Sequence, residues 1–241
     1  MSPLIFVCDH ASNALPPEYG TLGLPAEAFE RHIAYDIGAA DVTRALAAMF
    51  AAPAVLGPYS RLLIDLNRGS DDPTLVMKLS DRAVIPGNAA TGASEIAKRL
   101  RLYYQPYHDA IKTEIARLLA ANVAPVLISV HSFTPTWRGR PRPWHVGILW
   151  SERDPRLAQF VIERLRRDSA LVVGDNEPYS GELEGDCMDR HAVNHGFAHV
   201  LIELRQDLID TPTKAEGWAA RLEPVLQEAL ARLDLRPLAL R

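Results

Sequence analysis

The stretch that most limits what this chain can become is Pro125-Val-Leu-Ile-Ser-Val-His-Ser-Phe133. A short aliphatic and β-branched run with little polar alternation reads as a strand buried on both faces of a sheet. Sheets of that kind carry helices on both sides, and ligands collect beyond the carboxyl ends of their strands. His131, with Ser129 before it and Ser132 after it, is therefore expected at such an end. Two further runs finish in the same way. Pro3–Asp9 delivers His10, and His199–Leu204 carries Glu203 with Arg205 just beyond. Two imidazoles and a carboxylate at the ends of three buried strands are the ingredients of a metal-dependent hydrolase.

The segments between these strands alternate with helical patterns. Pro25–Phe50 reads as a helix with Ile33, Ile37, Ala40, Val42, Leu46 and Met49 in rough 3.6 spacing, stopped by Pro53. Asp36 falls inside it, either as a solvated or capping acid or as a ligand pointing back at His10. Tyr59–Arg68 reads as a strand running into a polar turn. Its Arg61 and Asp65 can pair without further purpose, yet Asp65-Leu-Asn-Arg68 also suits the holding of a carboxylate, with a guanidinium fork beside an amide. Residues 69–93 read as a long loop. Ser94–Ala121 is the clearest helix, with Ser94 as its N-cap and a kink or division at Pro106; His108 on it reads as structural. Thr134–Pro143 is a basic loop, a solvated one or a lid. Trp144–Trp150 and Leu171–Gly174 read as strands, Pro155–Arg167 as a helix, residues 176–196 as a second long loop, and Pro212–Leu233 as a closing helix interrupted near Pro224. His145, His195 and His199 are read as structural. The expected architecture is a single α/β domain over residues 1–241, a three-layer α/β/α sandwich.

Composition excludes some functions. A formal charge of −4 speaks against nucleic acid as the main partner, because neutralising phosphates needs a basic face. No apolar run approaches a membrane span, and residues 1–8 read as a strand rather than a signal peptide, so a cytoplasmic protein is expected. The two cysteines, Cys8 and Cys187, are expected as free thiols.

Catalytic zinc is usually held by three His or carboxylate ligands with one position left for water. His10 and His131 offer two of these, and Glu203 is the candidate proton carrier. Ser129-Val-His-Ser-Phe133 and Ile202-Glu-Leu-Arg-Gln-Asp207 resemble the late histidine and catalytic glutamate segments of zinc carboxypeptidases, and Asp65-Leu-Asn-Arg68 resembles the substrate-carboxylate segment of aspartoacylases. Together with Asp9-His-Ala-Ser12, Asn176-Glu-Pro-Tyr-Ser-Gly181 and His191, in this order, the set resembles the N-formylglutamate amidohydrolase family.

That resemblance implies a phosphorylase/hydrolase-like fold with a mostly parallel or mixed central sheet, and hydrolysis of a small anionic N-acyl amino acid such as N-formylglutamate. It makes His10 and His131 ligands of Zn2+ or another divalent transition metal, Glu203 the general base, and Arg61, Asn67, Arg68 and His191 substrate binders. Zinc carboxypeptidases place a glutamate three residues after the first histidine; Asn13 stands there in this chain, and Asp36 is the acid expected to complete the ligand set. The family's usual His-Ser-Gly is His10-Ala-Ser here, which marks a divergent branch. Two alternatives stand beside this reading: a peptidase or esterase on the same scaffold, and a non-catalytic protein that binds an acidic metabolite.

Overall fold

A computed structural model describes residues 1–239. Six strands form one sheet, β1 (Leu4–Cys8), β2 (Ala54–Leu56), β3 (Val126–Phe133), β4 (Val146–Leu149), β5 (Val173–Asp175) and β6 (Ala198–Arg205). Their order across the sheet is β2-β1-β3-β6-β4-β5. The first four of these are parallel neighbours, β4 runs antiparallel to β6, and β5 is parallel to β4, so the sheet is mixed. Every residue of β1 and β3 is buried, as expected of strands covered on both faces.

Two layers of helix provide that cover. Helices α1 (Ala39–Met49), α4 (Arg156–Leu165) and α6 (Pro212–Arg232) pack on one face through stripes such as Leu157, Ala158, Val161, Ile162 and Leu165. On the other face lie α3 (Gln105–Ala120), through Tyr107, Ile111, Ile115 and Leu118, and the short α5 (Cys187–His191). No helix among the described residues is long and apolar enough to cross a membrane.

Several local expectations are corrected. The helix expected over Pro25–Phe50 is instead a 3-10 turn, Ala26–Glu30, an irregular segment, and then α1. Asp36 sits in that irregular segment ahead of the helix, with its backbone N–H on the carbonyl of His10 at 2.9 Å. Gly38 ends the segment at φ 79°, and a methyl group there would meet the carbonyl of Ile209, beyond β6. Gly38→Ala should therefore cost about 2–5 kcal/mol of stability, from left-handed strain plus the clash, read as a lowered urea midpoint.

Tyr59–Arg68 is not a strand. Its apolar residues Leu62, Leu63 and Ile64 are buried, but the backbone is satisfied piecemeal. Asn88 Nδ2 donates to Leu62 O at 2.7 Å, Arg99 Nη1 donates to Leu63 O at 2.8 Å, and the Asp65 N–H donates to Leu75 O at 2.8 Å. The expected division at Pro106 is present: α2 (Ala93–Arg99) passes into a π turn over Leu100–Tyr104, where the Gln105 N–H reaches Leu100 O, before α3 begins. The N-cap of α2 is Gly92, not Ser94. At the other end of the chain, α6 runs unbroken through Pro224, which is exposed while Leu222, Val225 and Leu226 around it are buried. Packing on both sides outweighs the roughly 3 kcal/mol that an interior proline costs.

Candidate active site

β3 and β6 lie side by side in register, with Glu203 opposite His131. His10 follows β1 on the other side of β3. The Asp36 segment is tied to it through the His10 carbonyl, and Ser60 Oγ and the Arg61 N–H bind Ala34 O at 2.7 and 3.2 Å. Four distant parts of the sequence therefore meet at the strand ends. They border a cavity of about 460 Å³ that is also lined by Arg61, Asn67, Arg68 and Ser132 on one side and by Tyr179, Ser180, Glu182, Leu183 and Asp186 on the other, with Leu149 and Leu201.

At the bottom, His10, Asp36 and His131 bring ligand atoms within 4.8 Å of one another, all buried. His131 Nδ1 lies 2.7 Å and His10 Nδ1 3.3 Å from Asp36 Oδ2. The far nitrogens are held as well: His10 Nε2 by Asp65 Oδ1 at 2.6 Å and His131 Nε2 by Asp9 Oδ2 at 3.0 Å. Arg61 Nη2 donates to Asp65 at 3.0 Å and Nη1 to Asp36 at 3.4 Å.

The electrostatics follow from this crowding. Burial alone would raise the carboxyl of Asp9, but the hydrogen bond and charge of His131 outweigh it and hold the group below the usual carboxylate range. Burial is likewise overcome at Asp36, by His10 and His131, and at Asp65, by Arg61 and His10. His131 moves the other way: burial disfavours its charged form, yet Asp36 and Asp9 raise it well above an ordinary imidazole. Glu203 differs from these acids. Burial pushes it up to about 7, and its Oε2 has no hydrogen-bond partner.

Each of the two rings faces carboxylates through both nitrogens. With the Nε2 hydrogens given to Asp65 and Asp9, neutral rings would turn two lone pairs toward the Asp36 oxygen. Such a convergence needs positive charge, either an imidazolium proton or a cation among the three groups. The donor set of two imidazole nitrogens and one carboxylate suits a divalent transition metal.

A family model for N-formylglutamate amidohydrolase matches residues 2–210. The chain belongs to that family. A curated relative, the N-formylglutamate deformylase of Pseudomonas aeruginosa, is 29% identical over 148 residues, 55% of this chain and 54% of the relative, so the match spans about half of that protein's length. Among solved structures, a gene product of Agrobacterium tumefaciens is 36% identical with a TM-score of 0.90, covering 95% of this chain and 91% of its own. The N-formylglutamate amidohydrolase of Ralstonia eutropha, 18% identical, shares the fold with a TM-score of 0.65 over 94% of both chains. The expected α/β architecture with a mixed sheet is the one this amidohydrolase-family chain adopts.

The structure brings together His10, Asp36, Arg61, Asn67, Arg68, His131 and Glu203 around one cavity. It does not bring His191 there. That residue lies in α5, behind the cavity, with its Nε2 2.8 Å from His108 Nδ1. Burial pulls His191 down to about 3 and His108 to about 4, so the pair is neutral and one ring donates to the other. Cys187 also offers a ligand atom within 4.8 Å of those of the two rings. The His108–His191 hydrogen bond joins two of these groups, and His108 Nε2 is buried without a partner. Asn13 lies apart from the cavity, donating to Phe29 O at 3.0 Å.

Sequence reasoning missed the supporting acids. Asp9 precedes His10 and faces His131 instead, while Asp65, weighed only as a partner of Arg61, also holds His10. Carboxylates beside candidate ligating histidines were the available signal. Tyr179 and Ser180 fall in the Asn176–Gly181 segment that carries part of the resemblance, whereas Glu182, Leu183 and Asp186 lie in a polar, aperiodic stretch with no such signal.

Proposed function

We propose that this chain is a metal-dependent amidohydrolase that cleaves the amide bond of a small N-acyl amino acid, N-formylglutamate-like, releasing formate or another acid and the free amino acid. The observation that carries the reading is Glu203: a buried carboxylate with an unpartnered oxygen, in register with one of two imidazoles that converge with Asp36. His10, Asp36 and His131 would hold Zn2+ or a similar divalent ion. When bound, such an ion supplies polarisation of the acyl carbonyl and an acidified water, with a pKa near about 7.

The remaining work falls to the protein. Glu203 Oε2 takes the proton from the attacking water and delivers it to the departing amine nitrogen, which needs a group able to change charge near neutrality. Asn67 spends its Oδ1 on the Cys187 N–H at 3.0 Å, which leaves its Nδ2 to donate to the substrate carboxylate. Arg68 sits 3.7 Å from Asp65 and 3.9 Å from Asp72, too far for good hydrogen bonds, so its guanidinium is available to the same carboxylate. Arg61 has less to offer, since it is committed to Asp36 and Asp65.

Family membership supports this reading over a peptidase or esterase. The motive for a non-catalytic reading weakens too, since Asn13 lies outside the cavity and Asp36 supplies a carboxylate. The test is hydrolysis by zinc-loaded protein of N-formyl, N-acetyl and N-succinyl amino acids, with formate or amine detected. Absence of turnover across the panel would overturn the proposal.

Two variants examine its parts. Arg68→Ala should raise KM about 10- to 150-fold with kcat little changed, as loss of a charged hydrogen bond costs about 1.5–3 kcal/mol. Unchanged kinetics would remove Arg68 from the site. Asp9→Asn should weaken zinc affinity by about 10- to 100-fold, because it removes the charge behind His131 and leaves one acceptor oxygen for the two donors, His131 and Tyr107. Competition with a chromogenic chelator measures this directly, and an unaltered affinity would leave Asp9 a purely structural acid.

A further inference from the structure

We propose that the part of the cavity receiving the amino-acid side chain takes an uncharged group, so that N-acyl derivatives of leucine or glutamine are better substrates than N-formylglutamate. The inference rests on the reading above, that the cavity hydrolyses N-acyl amino acids, and concerns which of them it selects.

N-Formylglutamate carries two carboxylates, and each needs a partner once water is displaced. The lining has two guanidinium groups. One of them, Arg61, already faces two buried aspartates, through Asp65 at 3.0 Å and Asp36 at 3.4 Å, and its unpartnered Nε is itself buried. Arg68 is left, and a single guanidinium satisfies one carboxylate, the one common to all amino acids. The rest of the wall is unsuited to a second anion. Leu201 stands two residues before Glu203 on the same strand face, and its cross-strand partner is Leu149. Leu183 extends this apolar surface. The acids that complete the wall, Glu182 and Asp186, have their carboxylates bound only by backbone N–H groups, those of Glu152 at 2.6 Å and Asp189 at 2.7 Å. Burial pushes the Asp186 carboxyl up to about 7, so a γ-carboxylate placed there would meet apolar surface and the Glu182 carboxylate, a conflict that an isobutyl group or a neutral amide avoids.

One further cation lies near the cavity without being part of its lining. Arg142 is stacked against Phe133, Trp137 and Tyr179 at 5.7, 5.4 and 5.1 Å from their ring centres, and it donates to Thr134 Oγ1 at 3.3 Å. These contacts keep its guanidinium at the rim.

The experiment compares kcat/KM for N-formyl-L-leucine, N-formyl-L-glutamine and N-formyl-L-glutamate with the zinc-loaded full chain. The neutral substrates should exceed N-formylglutamate by at least about tenfold. In Glu182→Gln, the ratio of kcat/KM for N-formylglutamate to that for N-formyl-L-leucine should rise at least about threefold, and an unchanged ratio overturns the part given to this acid. A wild-type preference for N-formylglutamate overturns this inference and leaves the hydrolase reading intact; loss of that preference in Arg142→Ala would identify the cation responsible. Absence of turnover of all three, and of the wider panel, overturns both together.

Discussion

Glu203→Gln protein should bind zinc as the native protein does and yet turn over substrate about 10²- to 10⁴-fold more slowly, the range a positioned acid–base group contributes. Glutamine keeps the shape of the side chain on β6 and removes only its ability to exchange a proton. Burial raises the Glu203 carboxyl to about 7, which matches it to proton transfer near neutrality. The direction of the pH dependence follows. A base acts deprotonated, so kcat/KM should climb as pH rises through this region, and the residual rate of Glu203→Gln should lack that limb. Stability should move little or increase, because the substitution removes a carboxyl whose charged form burial opposes. A variant that keeps kcat within tenfold, or retains the native pH limb, would send the search for the base elsewhere in the cavity.

Removing His131 should have a comparably large effect by a different route. His131→Ala, purified without chelator, should lose most of its zinc and nearly all of its activity, while Glu203→Gln keeps its metal. The imidazole lies between Asp36 at 2.7 Å and Asp9 at 3.0 Å, so its loss also leaves two buried carboxylates facing a gap. Breaking one side of a buried charged arrangement costs about 3–5 kcal/mol, and the melting temperature is expected to fall. Asp36→Asn separates lost folding from lost metal: it keeps both imidazoles and removes the carboxylate. Elemental analysis against protein concentration, with circular dichroism on the same samples, reads both quantities. Stoichiometric zinc in folded samples of both variants would move the metal away from these residues.

How much of this was legible beforehand differs between elements for physical reasons. β1, β3 and β6 stand out in the sequence because both of their faces are buried and their side chains are accordingly mostly apolar until the ends that carry the site residues. The convergence of His10, His131 and Glu203 follows from their shared position at strand ends. Residues 59–68 misled because Leu62-Leu63-Ile64 has a strand's composition without a strand's partners. Its carbonyls are taken by Asn88 and Arg99, which lie far along the chain and cannot be located by a periodicity argument. Asp36 is legible as the third ligand beside His10 and His131 but not as lying outside a helix; Gly38, with its left-handed backbone, marks where that helix must wait. His191 illustrates the opposite case, a histidine with a motif's position and a packing role.

The reversed direction of β4 has an evolutionary corollary. Because the chain leaves β3 and enters β4 at the same end of the strands, the connection between them, with its small Thr136–Trp137/Arg140–Pro141 ribbon, lies at the end that carries the site and sets Arg142 on the cavity-lining Tyr179, while contributing nothing to the strand order. Insertions or deletions there can redraw the doorway and leave the machinery beneath untouched. This is the segment where relatives with different appetites should diverge first.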